Sequence, residues 1–210
     1  MRWLIPSGLS QGKLDAVKHK DYIGLIMTPR TWHMAKLEKH ELLWAGDNDC
    51  YSGKFNPAVF TKWLQDNVEW SKRCLFVACP DVIYDAKATL RLFNKWHDII
   101  RGFGYPTAIV LQDGMTEDQI KELDVEAVFL GGSTDWKMGQ EALKLLNIAK
   151  ELGLYRHIGR VNSLKRLRHF IGFADSFDGT DYVFRPILAT KMYIPFLMWL
   201  EKQGTFNPVG

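Results

Sequence analysis

Short apolar runs separated by polar or glycine-containing breaks recur along the chain, and between many of them apolar residues return at helical spacing. Arg2 to Pro6, Tyr22 to Met27 and Leu42 to Gly46 are the first three runs. They read as buried strands, followed by Ser7-Gly8, Thr28-Pro29 and Asp47-Asn48-Asp49. From Asn56 the period changes: Asn56 can cap a helix, Pro57 suits its first position, and Phe60, Trp63, Leu64 and Asn67 share a face. Leu75 to Cys79 ends at Pro80-Asp81, and Ala86, Leu90, Phe93, His97 and Ile100 follow at helical spacing. Thr107 to Leu111 leads to Gln112-Asp113-Gly114, and Ala127 to Leu130 leads to Gly131-Gly132-Ser133-Thr134. Met138, Ala142, Leu145 and Ala149 predict one helix ending near Gly153. Two more polar runs, Tyr155 to Gly159 and Asp175 to Phe177, precede Arg160-Val161-Asn162-Ser163 and Asp178.

About eight strand candidates, most followed by a helix, are the repeat of an α/β chain closed into a (β/α)8 TIM barrel. A doubly wound open sheet is the alternative, and no GxGxxG turn follows an early strand to support it. With 210 residues, 47% of them hydrophobic, the chain suits one core and one domain over residues 1–210. The tail from Arg185 to Gln203 is apolar and aromatic, and Pro195 is expected to divide it into two helical parts or leave it as an interface.

Charge narrows the partners only slightly. Lys+Arg 27 against Asp+Glu 24 gives +3, so a polyanion site must come from local clustering. Arg156, His157, Arg160, Lys165, Arg166, Arg168 and His169 form such a cluster; on a helix beside the active rim they could hold phosphates, or they are a solvated basic face. Cys50, Cys74 and Cys79 read as free thiols, with neither a metal site nor a cofactor expected. The start MRWLIPSGLSQGKL lacks the look of a signal peptide and no run approaches membrane-spanning length, so a cytoplasmic, soluble protein without membrane contact is expected.

In a barrel, reactive groups gather where the strands end. The rim candidates are Asp47, Asp81, Gln112, Gly131, Gly132, Arg160, Asn162 and Asp178. Carboxylates accept from the N–H donors of a guanine-like base, glycines let backbone approach a flat ligand, and a further carboxylate could attack a sugar carbon. Each acid also has a plain structural role open to it: Asp47 in an Asx-turn, Asp81 as a helix cap, Asp178 in an Asp-Gly turn. Gln112 and the glycine pair could be turn residues, and His33 and His97 read as helix surface or packing residues.

Six segments in order, LWAGDNDCY, FVACPDV, VLQDG, FLGGS, HIGRVNS and DSFDGT, resemble the strand-end motifs of the tRNA-guanine transglycosylase superfamily. The resemblance is greatest to its compact DpdA-type branch, which inserts 7-deazaguanines into DNA. It implies a glycosyltransferase of TIM-barrel fold, with DNA and a free 7-deazaguanine base as partners. Asp178 would be the nucleophile and Asp47 the general acid/base. Asp81, Gln112, Gly131, Gly132 and Asn162 would bind the base, and Arg160, Lys165, Arg166 and Arg168 the nucleic acid. No cysteine follows Cys79, which departs from the zinc-bearing tRNA enzymes. A tRNA substrate, a non-catalytic nucleobase-binding barrel and a nucleoside-type hydrolase of small molecules are the competing readings. The aromatic tail makes a homodimer conceivable.

Overall fold

Eight parallel strands close on themselves in sequence order: β1 (Arg2–Pro6), β2 (Ile23–Met27), β3 (Trp44–Gly46), β4 (Cys74–Ala78), β5 (Thr107–Leu111), β6 (Ala127–Leu130), β7 (Tyr155–Ile158) and β8 (Ser176–Asp178). Closure is made by β8 against β1, with Trp3 opposite Phe177 and Leu4 opposite Asp178. The computed structural model describes residues 1–6, 19–31 and 41–204; the turn expected at Ser7-Gly8 and the helical residue His33 lie outside the described residues.

The expected runs differ from the strands at their ends. Leu42–Leu43 stay outside β3, β4 begins at Cys74, and Asp178 belongs to β8 rather than following it. Asp178 keeps strand pairing because its neighbour across the seam, Leu4, still offers a parallel partner.

Alternation along each strand divides the core in two. Leu4, Ala45, Phe76, Ala108 and Ala127 form one cluster, joined by Ile26, Phe129 and Tyr155, which fills the barrel. Alternate residues such as Trp3, Ile5, Val77, Ile109 and Val128 join the larger cluster under the helices. Alanines at three inner positions leave room for the rings of Phe76, Phe129 and His157, whose centroids lie 4.6 to 6.2 Å apart.

Helices return the chain over the outside. α1 (Pro57–Asp66) is capped by the Asn56 side chain, which accepts from Val59 N–H at 3.1 Å, and it buries Phe60, Trp63 and Leu64. α2 (Ala86–Gly102) is capped by Asp85 and buries Phe93, Trp96 and Ile100; His97 packs on Phe93 and pairs with Asp98. α3 (Glu117–Lys121) opens with a reciprocal capping box between Thr116 and Gln119. A separate short helix, α4 (Thr134–Lys137), comes next with Met138 at its end, and the helix expected from Met138 begins instead at Gln140, as α5 (Gln140–Glu151) with Gly139 at its N-cap. α6 (Leu164–His169) and α7 (Asp181–Phe184) are short.

The tail also corrects its expectation. α8 (Pro186–Lys202) runs unbroken through Pro195. Proline removes one helical N–H, but Ala189 and Tyr193 before it and Leu197 and Leu200 after it are all buried, so both halves are held on one surface. Tyr193 rests on Trp3 and Phe177, with ring centroids at 4.8 and 5.6 Å. No described helix is long and apolar enough to cross a membrane.

Candidate functional site

One cavity of about 100 Å³ opens where the strands end, lined by Asp47, Asp81 and Asp178 together with Gln112, Gly131, Gly132 and Arg160. The fold therefore brings these sequence-selected residues together from loops and ends of six strands. Asn48, Tyr51, Ala78, Ile83, Val110 and Phe129 complete the wall. Three acids and the polar groups of Asn48, Gln112 and Arg160 face the apolar side chains of Ala78, Ile83, Val110 and Phe129.

Asp178 ends β8 with both oxygens occupied. Oδ1 accepts from Arg160 N–H at 3.0 Å, and Oδ2 lies 2.9 Å from His157 Nε2. His157 is wholly buried, and burial pushes its pKa down, against the opposing pull of Asp178. A neutral imidazole that donates from Nε2 to a carboxylate must accept at Nδ1, and Ser176 Oγ stands there at 2.8 Å. Ser176, His157 and Asp178 thus form a chain through the barrel interior. A Cβ at Gly179 would meet the Val161 carbonyl at 2.2 Å, so only glycine lets the chain leave Asp178 this close to the β7 loop.

Asp47 lies in the loop leaving β3, partly buried. Its pKa is raised to about 7, first by burial and then by the negative charge of Asp178. It does make an Asx-type contact, accepting from Asp49 N–H at 3.3 Å, while still lining the cavity. Asp81 does not cap α2; Asp85 does. Asp81 instead accepts from Asn48 Nδ2 at 2.9 Å and Gln112 Nε2 at 2.6 Å, and burial moves its pKa up. Gln112 uses its other end as well: Oε1 accepts from Tyr84 N–H at 2.9 Å and Gly132 N–H at 3.0 Å.

The glycines answer to packing. A Cβ at Gly131 would sit 2.8 Å from Val110, and at Gly132 2.4 Å from Trp136, where φ is also +64°. Three non-glycine residues in neighbouring rim loops share that left-handed backbone: Asp49 (φ 63), Tyr84 (φ 63) and Arg160 (φ 60). Strain of this kind persists only where surroundings enforce it and gathers at functional sites.

The basic cluster expected to act as a unit separates. Arg156 is held by Asp175 through bonds of 2.9 and 2.7 Å, and His157 lies inside the barrel. Lys165 is exposed on α6, and Arg168 lies over the Phe196 ring of α8 at 5.7 Å. Arg160 and Arg166 instead line a second cavity, of about 190 Å³, with Lys137, Asn162, Thr134 and Tyr51. Asn162 Oδ1 accepts from Thr180 N–H at 2.7 Å, bracing the loop after Asp178. Arg160 stacks over Tyr51 at 4.5 Å and donates to the Gly132 carbonyl.

His157, Lys137, Asn48 and Tyr51 are the site residues that sequence reasoning did not single out for these roles. Strand parity carried the signal for His157, since Tyr155 and His157 alternate on the face that Phe129 shares across the β6–β7 ladder. All three cysteines are free. Cys74 and Cys79 are buried, and Cys50, partly buried beside Asp81, has its thiol pushed up to about 12 by burial. Among the described residues no group of three or more His, Cys, Asp or Glu side chains is placed to hold a metal ion.

No family model matches the chain, and no curated protein does. Solved structures do, at low identity. Deoxyribose phosphate aldolase from Aeropyrum pernix matches with TM-score 0.59 and 14% identity over 91% of this chain and 89% of that one. The aldolase QR15 matches with 0.58 and 12%, over 94% and 93% of the two chains, and 3-hexulose-6-phosphate synthase with 0.54 and 10%, over 91% and 97%. These likenesses establish the barrel. They overturn the expected membership of the tRNA-guanine transglycosylase superfamily, and with it guanine exchange in DNA or tRNA: the matches are aldolases and a synthase. The glycines of FLGGS and DSFDGT that suggested the resemblance are required by close contacts of the barrel itself.

Proposed function

We propose that the chain is an enzyme that hydrolyses the glycosidic bond of a small nucleoside-like molecule in the acid-lined cavity. One observation carries the reading: Asp47 and Asp178 share the cavity, and Asp47, with burial and the Asp178 charge behind it, holds its proton up to about 7. Two carboxyl groups whose environments differ in this way suit an acid and a carboxylate acting on one bond. Asp47 gives its proton to the leaving nitrogen or oxygen as the bond to the sugar carbon breaks, and the bonding electron pair departs with that leaving atom. The Asp178 carboxylate faces the positive charge that develops on the carbon. Water then adds to that carbon, and its proton returns to Asp47. The walls of Phe129, Val110 and Ile83 suit a planar leaving group, and the carboxyl of Asp81 suits its N–H donors.

The test is turnover of a panel of nucleosides and aryl glycosides across pH. An acid that must be protonated loses its proton as pH rises, so the rate should fall through about 7. A rate that stays level from about pH 5 to about pH 9 would exclude Asp47 as the acid.

A second reading is favoured by Lys137, whose pKa is lowered to about 7, first by burial and then by the charge of Arg160. A neutral amine can condense with a carbonyl. Borohydride reduction in the presence of an aldehyde substrate would then leave a stable adduct on Lys137, visible by peptide mass spectrometry. Lys137 lines the second cavity rather than the one that holds Asp47, which makes this the weaker fit.

A further inference from the structure

The second cavity brings together three cationic side chains from two loops. Lys137 comes from α4, Arg160 from the end of β7 and Arg166 from α6, and no carboxylate lines the space with them. Lys137 is only 6% exposed. Its Nζ donates to the Gly159 carbonyl at 2.6 Å, the one hydrogen-bond acceptor it has among the described residues. An ammonium carries three donors, so two remain. Arg166 has no carboxylate partner among the described residues. Thr134 and Asn162 add neutral polar groups, and Tyr51 and Arg160 are shared with the acid-lined cavity. Like charges gathered and partly withdrawn from water are costly unless an anion joins them.

From this arrangement we infer that the second cavity is a phosphate site, taking a phosphate group carried by the substrate whose bond is cut in the neighbouring cavity. A guanidinium binds phosphate through paired donors and a lysine as a point charge, and this cavity supplies both. The claim that the phosphate belongs to the substrate rests on the reading of the acid-lined cavity given above; the claim that phosphate binds does not. Left-handed Arg160 is what joins the two spaces, since its N–H holds Asp178 while its guanidinium lines both.

The charges that bear on Lys137 give the test a distinctive readout. Arg160 and Arg166 disfavour its protonation, and Asp178 and Asp113 favour it. A bound phosphate would add to the second group, so at about pH 8 binding should take a proton from the buffer. Calorimetric titration of the full chain with inorganic phosphate, in two buffers of different ionisation enthalpy, should show that uptake. Arg166→Gln should weaken binding by about tenfold or more, and Lys137→Met should abolish the proton uptake. Lys165→Gln, on the exposed side of α6, should bind as the parent does. Absence of binding at millimolar phosphate, or binding unaltered by Arg166→Gln, would overturn the site.

The source of the phosphate is separated by two further titrations, with ribose 5-phosphate and with a short single-stranded oligonucleotide. Tighter binding of the sugar phosphate supports the inference, and tighter binding of the strand overturns the assignment to a small substrate. In turnover, Arg166→Gln should raise KM for a phosphorylated nucleoside by a larger factor than for the unphosphorylated one. Phosphate binding that survives in a chain without hydrolytic activity would retain the site and reject the reaction.

Discussion

Strands β5 and β7 stand two places apart in one barrel and are built of opposite materials. All five residues of β5, Thr107–Leu111, are buried, and only Thr107 is polar, its N–H and hydroxyl both satisfied by Glu126. β7 is Tyr155–Ile158, with an arginine turned out to Asp175 and a histidine turned in. Thr107 apart, the apolar strand fills space and asks no side-chain partner of its neighbours. The polar one commits β8 as well, because an imidazole in the barrel interior requires Ser176 on one side and Asp178 on the other. The difference teaches that a polar group inside this barrel fixes the residues of the next strand, where an apolar one leaves them free.

The largest effect should come from the polar side. Asp178→Asn is expected to reduce turnover to background while thermal unfolding shifts little; substantial turnover would mean that β7 and β8 carry no chemistry. Next, Asp47→Asn should lower the rate by about 10²–10⁴ and remove its decline at high pH. The same variant should be more stable than the parent at about pH 8. The folded chain holds the Asp47 proton up to about 7, the unfolded chain releases it near the ordinary aspartate value of about 3.8, and so stability is lost as pH rises between them. Restoring that loss is worth on the order of 2–4 kcal/mol, measurable by denaturant titration.

On the apolar side, Ile109→Ala should cost about 2–5 kcal/mol of stability yet leave kcat per folded molecule unchanged. A matching fall in kcat would erase the contrast between the two strands. The smallest effect is expected for Ser176→Ala, which leaves the buried His157 Nδ1 without its partner, at about 1–3 kcal/mol, and frees the histidine tautomer. Its signature is an altered nitrogen shift pattern of the His157 ring by NMR.

Much of this architecture could be read in advance where backbone and side chain obey the same rule. Apolar runs end at Gly46, Leu111 and Leu130 because the strands end there, and the residues that follow, Asp47, Gln112 and Gly131, line the rim. His157 was not read correctly because its neighbours Arg156 and Arg160 make it look like part of a basic surface; only the inward face of β7 separates them. Lys137 stands in a four-residue helix whose burial comes from the β7 loop, a contact that local spacing does not encode. Pro195 gave a true local signal, overruled by the aromatic surface on which α8 lies. The resemblance to a base-exchange family misled for a related reason: the glycines at its strand ends, Gly131, Gly132 and Gly179, are required by close contacts of this barrel.

Burial of the thiols gives the molecule its own clock. Cys74 and Cys79 bracket β4 and are shut away from solvent, with their pKa values moved upward by desolvation. An alkylating reagent reaches them only when the packing between that strand and the helices over it opens. The pace at which they are modified therefore reports how often that layer comes apart.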